Sequence, residues 1–129
     1  MGLLAFLQSL LPERFTPDAL EALRARDART VLLDVREPHE FAEGHIAGSV
    51  LVPMGKVPHH AAAIAEAGLP VVVICRSGAR AGSCDVVLRQ AGAREVHTLS
   101  GGVMAWQRAG RTLVKGSKSP ALAQALKKK

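Results

Sequence analysis

The stretch Val71-Val72-Val73-Ile74-Cys75-Arg76-Ser77-Gly78-Ala79-Arg80 carries the reading of the fold. Four β-branched residues in a row, apolar on both faces, predict a strand buried inside a sheet. Cys75 stands at the carboxyl end of that strand. The polar, glycine-containing turn after it leads directly into residues 79–91, read as a helix closed by Gly92. In that helix Val86, Val87 and Leu88 are expected to face inward.

Working outward, strands and helices keep alternating. Thr16-Pro17-Asp18 is a helix start: a hydroxyl N-cap, a proline at the first helical position and an acid on the positive end of the dipole. Residues 19–25 continue that helix, 31–35 read as a strand, and 38–43 as a short helix broken by Gly44. Residues 49–52 give a strand stopped by Pro53, and 58–67 an Ala-rich helix ended by Gly68. Downstream, 95–98 form a strand and 103–108 a last short helix before Gly110. Such alternation predicts an α/β fold, a mostly parallel central sheet with helices on both faces. There is no internal repeat and no internal linker.

A chain of 129 residues has room for one compact domain, and 48% hydrophobic with 22% charged residues excludes wholesale disorder. Three Phe, one Trp and no Tyr argue against a reader of single-stranded nucleic acid, which needs stacking platforms. The net charge of +6 does not restore that reading. Seven of the 17 basic residues lie in residues 108–129, where there is no acid, and the rest of the chain holds ten basic against eleven acidic groups. The basicity belongs to a tail, ending in Lys127-Lys128-Lys129, that is expected to be solvated; no nucleic-acid partner is expected.

Two cysteines, Cys75 and Cys84, make neither a disulfide framework nor a zinc pattern, so a reducing cytoplasm is the expected setting, with no metal. Residues 1–11 are apolar but lack a basic leader and are too short to span a bilayer. They are expected to form a short helix packing its Leu/Phe face onto the domain; the alternative is an interfacial anchor or a partner-docking helix. No other segment approaches transmembrane length. The expected organisation is an N-terminal apolar helix or leader at 1–13, a domain at 14–112 and a basic C-terminal tail at 113–129, with at most a marginal helix over 121–129.

In open α/β sheets ligands gather at the carboxyl ends of strands, where Cys75 sits. Gly78 supplies a positive-φ conformation that curls the turn's amides into an anion nest. The helix dipole and the guanidinium groups of Arg76 and Arg80 all favour thiolate over thiol, giving a nucleophile that needs no separate base. The same nest suits an oxyanion or the terminal sulfur of a persulfide.

These residues resemble the rhodanese (thiosulfate sulfurtransferase) homology domain in its single-domain form. The resemblance runs from about Arg14 to Thr112. It rests on Leu33-Asp34-Val35-Arg36-Glu37-Pro38-His39-Glu40-Phe41, on Gly44-His45-Ile46-Ala47-Gly48-Ser49, on the Cys75 loop and on Gly101-Gly102-Val103-Met104-Ala105-Trp106. Ala47 and Ser49 depart from the proline and alanine usual there. The resemblance implies a ping-pong reaction without a cofactor: Cys75 takes the outer sulfur of a donor such as thiosulfate, holds it as a persulfide and yields it to cyanide, a cellular thiol or a protein acceptor. Amides of Arg76, Ser77, Gly78, Ala79 and Arg80 would cradle the sulfur, with Arg76 and Arg80 adding positive potential.

Two other readings stand beside it. Related phosphatases and arsenate reductases insert one residue more between Cys and Arg, making a ring large enough for a tetrahedral oxyanion; here four residues, 76–79, intervene. A non-enzymatic sulfur-carrier or interaction module is the other, although such modules generally lose the cysteine. Asp34 and Arg36 either shape the pocket or, as the simpler expectation, Arg36 pairs with Glu40 or Glu43. His45 is expected to be structural, His59-His60 a solvated turn, Asp85–Arg89 a local ion pair and Trp106 packed on the sheet. Cys84 is expected on the core-facing side, away from Cys75.

Overall fold

The computed structural model describes residues 2–9 and 14–127. Its frame is four short parallel strands: β1 (Val31–Asp34), β2 (Val50–Leu51), β3 (Val71–Ile74) and β4 (Val96–Thr98), ordered β2-β1-β3-β4. Residue for residue, Val31–Asp34 runs beside Val71–Ile74, so the two central strands end level with one another. β1 and β3 are buried along their whole length, as their continuous apolar runs require. The chain leaves β1 toward one edge and β3 toward the other. That divergence makes a switch point between their carboxyl ends.

Side chains alternate across the sheet and separate two cores. Val31, Leu33, Val71 and Val73 face helices α4 (Val57–Ala67) and α5 (Ala79–Gln90), with Ile64, Cys84 and Leu88 among the residues that meet them. Leu32, Val72 and Ile74 face α2 (Pro17–Arg26) and α6 (Gly102–Arg108), through Leu20, Leu23, Val103 and Trp106. α2 begins as expected, with the Thr16 hydroxyl accepting from the Ala19 amide at 3.1 Å and Pro17 in the first turn. α3 (Pro38–Glu43) opens on Pro38 and buries Phe41, whose ring stacks on His45 at a centroid distance of 3.6 Å. The Nδ1 of His45 lies 2.8 Å from the Phe41 carbonyl, which can only accept, so the proton sits on that nitrogen.

Three expectations are corrected. Val86 is exposed rather than inward, because the buried face of α5 follows Ala81, Cys84 and Leu88 at helical spacing and leaves Val86 opposite. His59 and His60 lie exposed on α4 rather than in a turn. The apolar side chains of helix α1 (Leu3–Ser9) are not buried: Leu3, Leu4, Phe6 and Leu7 are each about half exposed or more. The rest of that apolar stretch, residues 10–13 and Met1, falls outside the described residues, as do Lys128 and Lys129. Among the described residues no helix is long and apolar enough to cross a membrane.

Beyond α6 the chain returns along the β2 side. Val114 and His45 exchange backbone hydrogen bonds of 2.8 and 2.9 Å, and the Ser119 hydroxyl accepts from the Leu51 amide at 2.8 Å. α7 (Leu122–Ala125) then sets Leu122 and Ala125 against the α4/α5 core.

At the end of β1 an ion pair is buried. Arg36 pairs with Asp34, not with Glu40 or Glu43: its Nε and Nη2 donate to the Asp34 carboxylate at 3.0 and 2.8 Å, and both side chains are at most 5% exposed. The guanidinium also donates to the Gly44 carbonyl at 2.8 Å, so it ties β1 to the turn after α3. Asp34 wins over the two glutamates because it sits two residues away on the same strand end, already desolvated. Breaking the pair would leave a buried charge without compensation. Arg36→Met is therefore expected to cost about 3–5 kcal/mol in urea unfolding, and Asp34→Asn in the same chain to recover part of it.

Candidate active site

Cys75 is delivered to the switch point by β3, one residue beyond Ile74. Its Sγ accepts the Gly78 amide at 2.8 Å, and the residue is 1% exposed. Gly78 has φ +109°, a conformation glycine favours, and is the N-cap of α5. The first-turn amides of an α-helix have no intrahelical partner, so the amino end of α5 presents donors to the loop that holds Cys75. Arg76 and Ser77 are exposed at the rim, while Ala79 and Arg80 already belong to the first turn of α5.

The loop is held from the other side by α6. Val103 donates its amide to the Cys75 carbonyl at 2.9 Å and Met104 to the Arg76 carbonyl at 3.1 Å. The approach is close: a Cβ on Gly102 would lie 2.3 Å from the Cys75 carbonyl oxygen and 2.5 Å from the Arg76 carbonyl carbon. Gly102 also has φ +57°, so both space and backbone exclude a side chain.

Arg80 has a partner. Its Nη1 and Nη2 each donate to one oxygen of Glu40 at 2.7 Å, a bidentate pair joining α5 to α3. These hydrogen bonds, against an opposing effect of burial, hold the Glu40 carboxyl at about 2 instead of 4.5. The guanidinium is correspondingly more firmly protonated. Arg76, by contrast, has no ion-pair partner among the described residues. Both arginines flank the cysteine as the sequence implied, but only one has its charge free.

Cys84 is buried on the core face of α5 and unbonded to Cys75. Burial, and secondarily the charge of Cys75, pushes its thiol up to about 11, which makes it a poor nucleophile. Asp34 and Arg36 lie at the neighbouring end of β1, engaged with one another, and Arg36 lines the pocket next to the loop. That pocket, of about 590 Å³, runs between α3 and α6 past Arg76. Among the described residues no group of three or more His, Cys, Asp or Glu gathers at metal-binding distance. Sequence reasoning offered Glu40 only as a partner of Arg36, and gave the amides of Val103 and Met104 no role. The adjacent Gly101-Gly102 was the visible sign of the second.

A parallel sheet with a cysteine loop at its switch point, closed into the amino end of a helix, defines the class of protein. Residues 16–109 match the family described as Rhodanese-like domain, and the chain belongs to it. It is 36% identical over 95 residues to thiosulfate sulfurtransferase GlpE of Stutzerimonas stutzeri, covering 74% of this chain and 84% of that one. It is 39% identical over 92 residues to a sulfurtransferase of Allochromatium vinosum, covering 70% and 85% respectively. An uncharacterized protein of Synechocystis is 38% identical, but the chain spans only 57% of its length. Among solved structures, a rhodanese-related protein of Thermoplasma volcanium superposes with a TM-score of 0.67 at 27% identity, covering 80% of this chain and 98% of that one.

Two outcomes follow from this geometry. Gly102→Ala is expected to lower unfolding stability by about 2–4 kcal/mol, combining a positive-φ penalty with overpacking; a loss under about 1 kcal/mol would show that α6 can retreat from the loop. Because Glu40 is depressed from 4.5 to about 2, its pair with Arg80 contributes fully above pH 4.5 and is lost as the pH falls toward 2. The stability gap between wild type and Glu40→Gln, followed by urea unfolding, should close over that interval.

Proposed function

We propose that this protein is a cytoplasmic sulfurtransferase of the thiosulfate:thiol or thiosulfate:cyanide type, working through a Cys75 persulfide, with residues 14–112 as its catalytic domain. One observation carries the reading: Cys75 ends a central strand with the Gly78 amide on its sulfur, in a loop of four residues that leads into a helix amino terminus. A thiolate there attacks the outer sulfur of thiosulfate. The new S–S bond forms as the bond to the sulfonate sulfur breaks, and sulfite leaves with the electron pair. An acceptor thiolate or cyanide then attacks the outer sulfur, and Cys75 departs as thiolate.

Burial of Cys75 suits the second half of this cycle. An S–S bond of about 2.05 Å carries the transferable sulfur beyond Sγ, toward the rim where Arg76 lies. The two arginines divide the work. Arg76 supplies free positive charge for the anionic donor, while Arg80, engaged with Glu40, fixes the loop against α3. The amides from Arg76 to Arg80 stabilise the anionic terminal sulfur. Asp34 and Arg36 support the adjoining strand end.

The test is the intact mass after incubation with thiosulfate. A gain of one sulfur atom, reversed by cyanide and absent from Cys75→Ser, is expected. Arg76→Ala should raise the KM for thiosulfate about tenfold with a smaller change in kcat, the loss of one charge-assisted contact. Hydrolysis of phosphate esters or reduction of arsenate without a sulfur adduct would instead favour the phosphatase branch. Inactivity in all three, with a specific partner retained, would favour the interaction module.

A further inference from the structure

Exposed apolar surface is concentrated in α1, where Leu3, Leu4 and Leu7 are 74%, 69% and 49% exposed. Elsewhere among the described residues Met54, Val86, Met104 and Val114 are exposed singly, in four separate segments, as is ordinary for a folded surface. At helical spacing the three leucines span an arc of about 100°, and Ala5, Gln8 and Ser9 take the opposite side. The helix is also uncharged: no Asp, Glu, Lys or Arg occurs from residue 2 to residue 12. From α1 the chain enters the domain through Phe15, which is bridged in parallel to Leu99. Phe15 donates its amide to the Ser100 hydroxyl at 3.1 Å, and its carbonyl accepts the Ser100 amide at 2.9 Å. Since Val73 pairs with Thr98, this entry lies at the carboxyl end of the sheet, the end that carries Cys75.

Two cations stand there. Arg14 directly precedes Phe15, and the Arg108 guanidinium lies 3.5 Å from where a Cβ on Gly101 would be, one residue past Ser100. Both are exposed, and neither has an ion-pair partner among the described residues, whereas Arg24 and Arg111 are held by acids of α2. We propose that α1 is an interfacial anchor that lays Leu3, Leu4 and Leu7 into the headgroup region of an anionic bilayer, with Arg14 and Arg108 against the lipid phosphates. A protein partner, a second copy included, would find little to hold. Seven residues make a helix about 10 Å long, whose stripe is a small part of the roughly 800 Å² that each side of a stable interface contributes. The helix also offers no charge to select a partner or fix a register. A bilayer requires neither. Anchoring to it takes two signals, because one alone is marginal, and here the leucine stripe is one and the arginines the other. The chain from Ser9 to Arg14 reaches at most about 18 Å, so binding keeps the carboxyl end of the sheet near the lipid.

The experiment mixes the full chain with vesicles of phosphatidylcholine, alone or with phosphatidylglycerol, and reads binding by co-flotation. Binding to the mixed vesicles is expected, about thirtyfold weaker to the neutral ones and weakened by salt. Arg14→Gln and Arg108→Gln should each weaken it about fivefold, and Leu3→Ser and Leu7→Ser each about tenfold, at unchanged unfolding midpoints. Glu13→Gln, which removes the one acid of the first 17 residues, should strengthen it. Leu4→Trp adds a reporter to the single, buried Trp106; its emission should shift to the blue with mixed vesicles and be quenched by brominated acyl chains. No binding, equal binding to both vesicle types, or binding without the blue shift overturns the proposal. So does a dimer, seen by sedimentation without lipid, that Leu7→Ser dissociates, since a second copy would then cover the stripe. Sulfur uptake by Cys75 is read without vesicles, so none of these outcomes touches the sulfurtransferase reading.

Discussion

The peptide groups of Cys75 and Arg76 rest against the bare Cα of Gly102, and most of the site depends on that contact. Only without a Cβ can α6 approach closely enough for the Val103 and Met104 amides to bond the two carbonyls of the loop. Those bonds orient the loop's carbonyls toward α6. The N–H groups of the same two peptides, those of Arg76 and Ser77, are thereby turned away from α6, because a peptide that points its oxygen one way points its N–H the other. The parallel pairing of β1 with β3 supplies the floor on which this happens, and the level ends of the two strands place Asp34 and Ile74 side by side. A cysteine loop without α6 behind it would have two peptide oxygens to satisfy by other means.

Around this frame the charges sort into engaged and available groups. Asp34 and Arg36 neutralise each other inside the protein, and Glu40 and Arg80 do so near its surface. Both pairs connect elements, β1 to the turn at Gly44 and α5 to α3, so their work is to hold walls in position. Arg111 and Arg24 lie over the Trp106 ring at 5.1 and 6.0 Å from its centroid, each also bonded to acids of α2. The arginine-rich surface thus presents fewer free cations than its composition suggests. What faces a ligand is the remainder after these internal pairs.

Much of the frame was legible in the sequence because its signals are local. The β-branched run Val71–Ile74, the Thr16-Pro17-Asp18 cap and the Pro38 start each specify an element within a few residues, and each element begins where they place it. The position of Cys75, at a strand end before a glycine turn, was legible by the same logic. The partner of Arg80 was not, since Glu40 lies forty positions away and only the packing of α3 beside α5 brings it within 2.7 Å. Arg36 had three acids in reach along the chain, and burial rather than spacing chose Asp34. Val86 was misplaced because an unbroken apolar triplet carries no periodicity; the phase of α5 is set by Ala81 and Cys84, one turn earlier.

The return of the chain past β2 reaches beyond the stability of one molecule. β2 is an edge strand of only two residues, and an open edge is a template for any other chain in extended conformation. Here the Ser119 hydroxyl occupies the Leu51 amide, and α7 lays Leu122 and Ala125 over the adjoining apolar surface. The C-terminal segment therefore occupies backbone that a second extended chain would otherwise pair with.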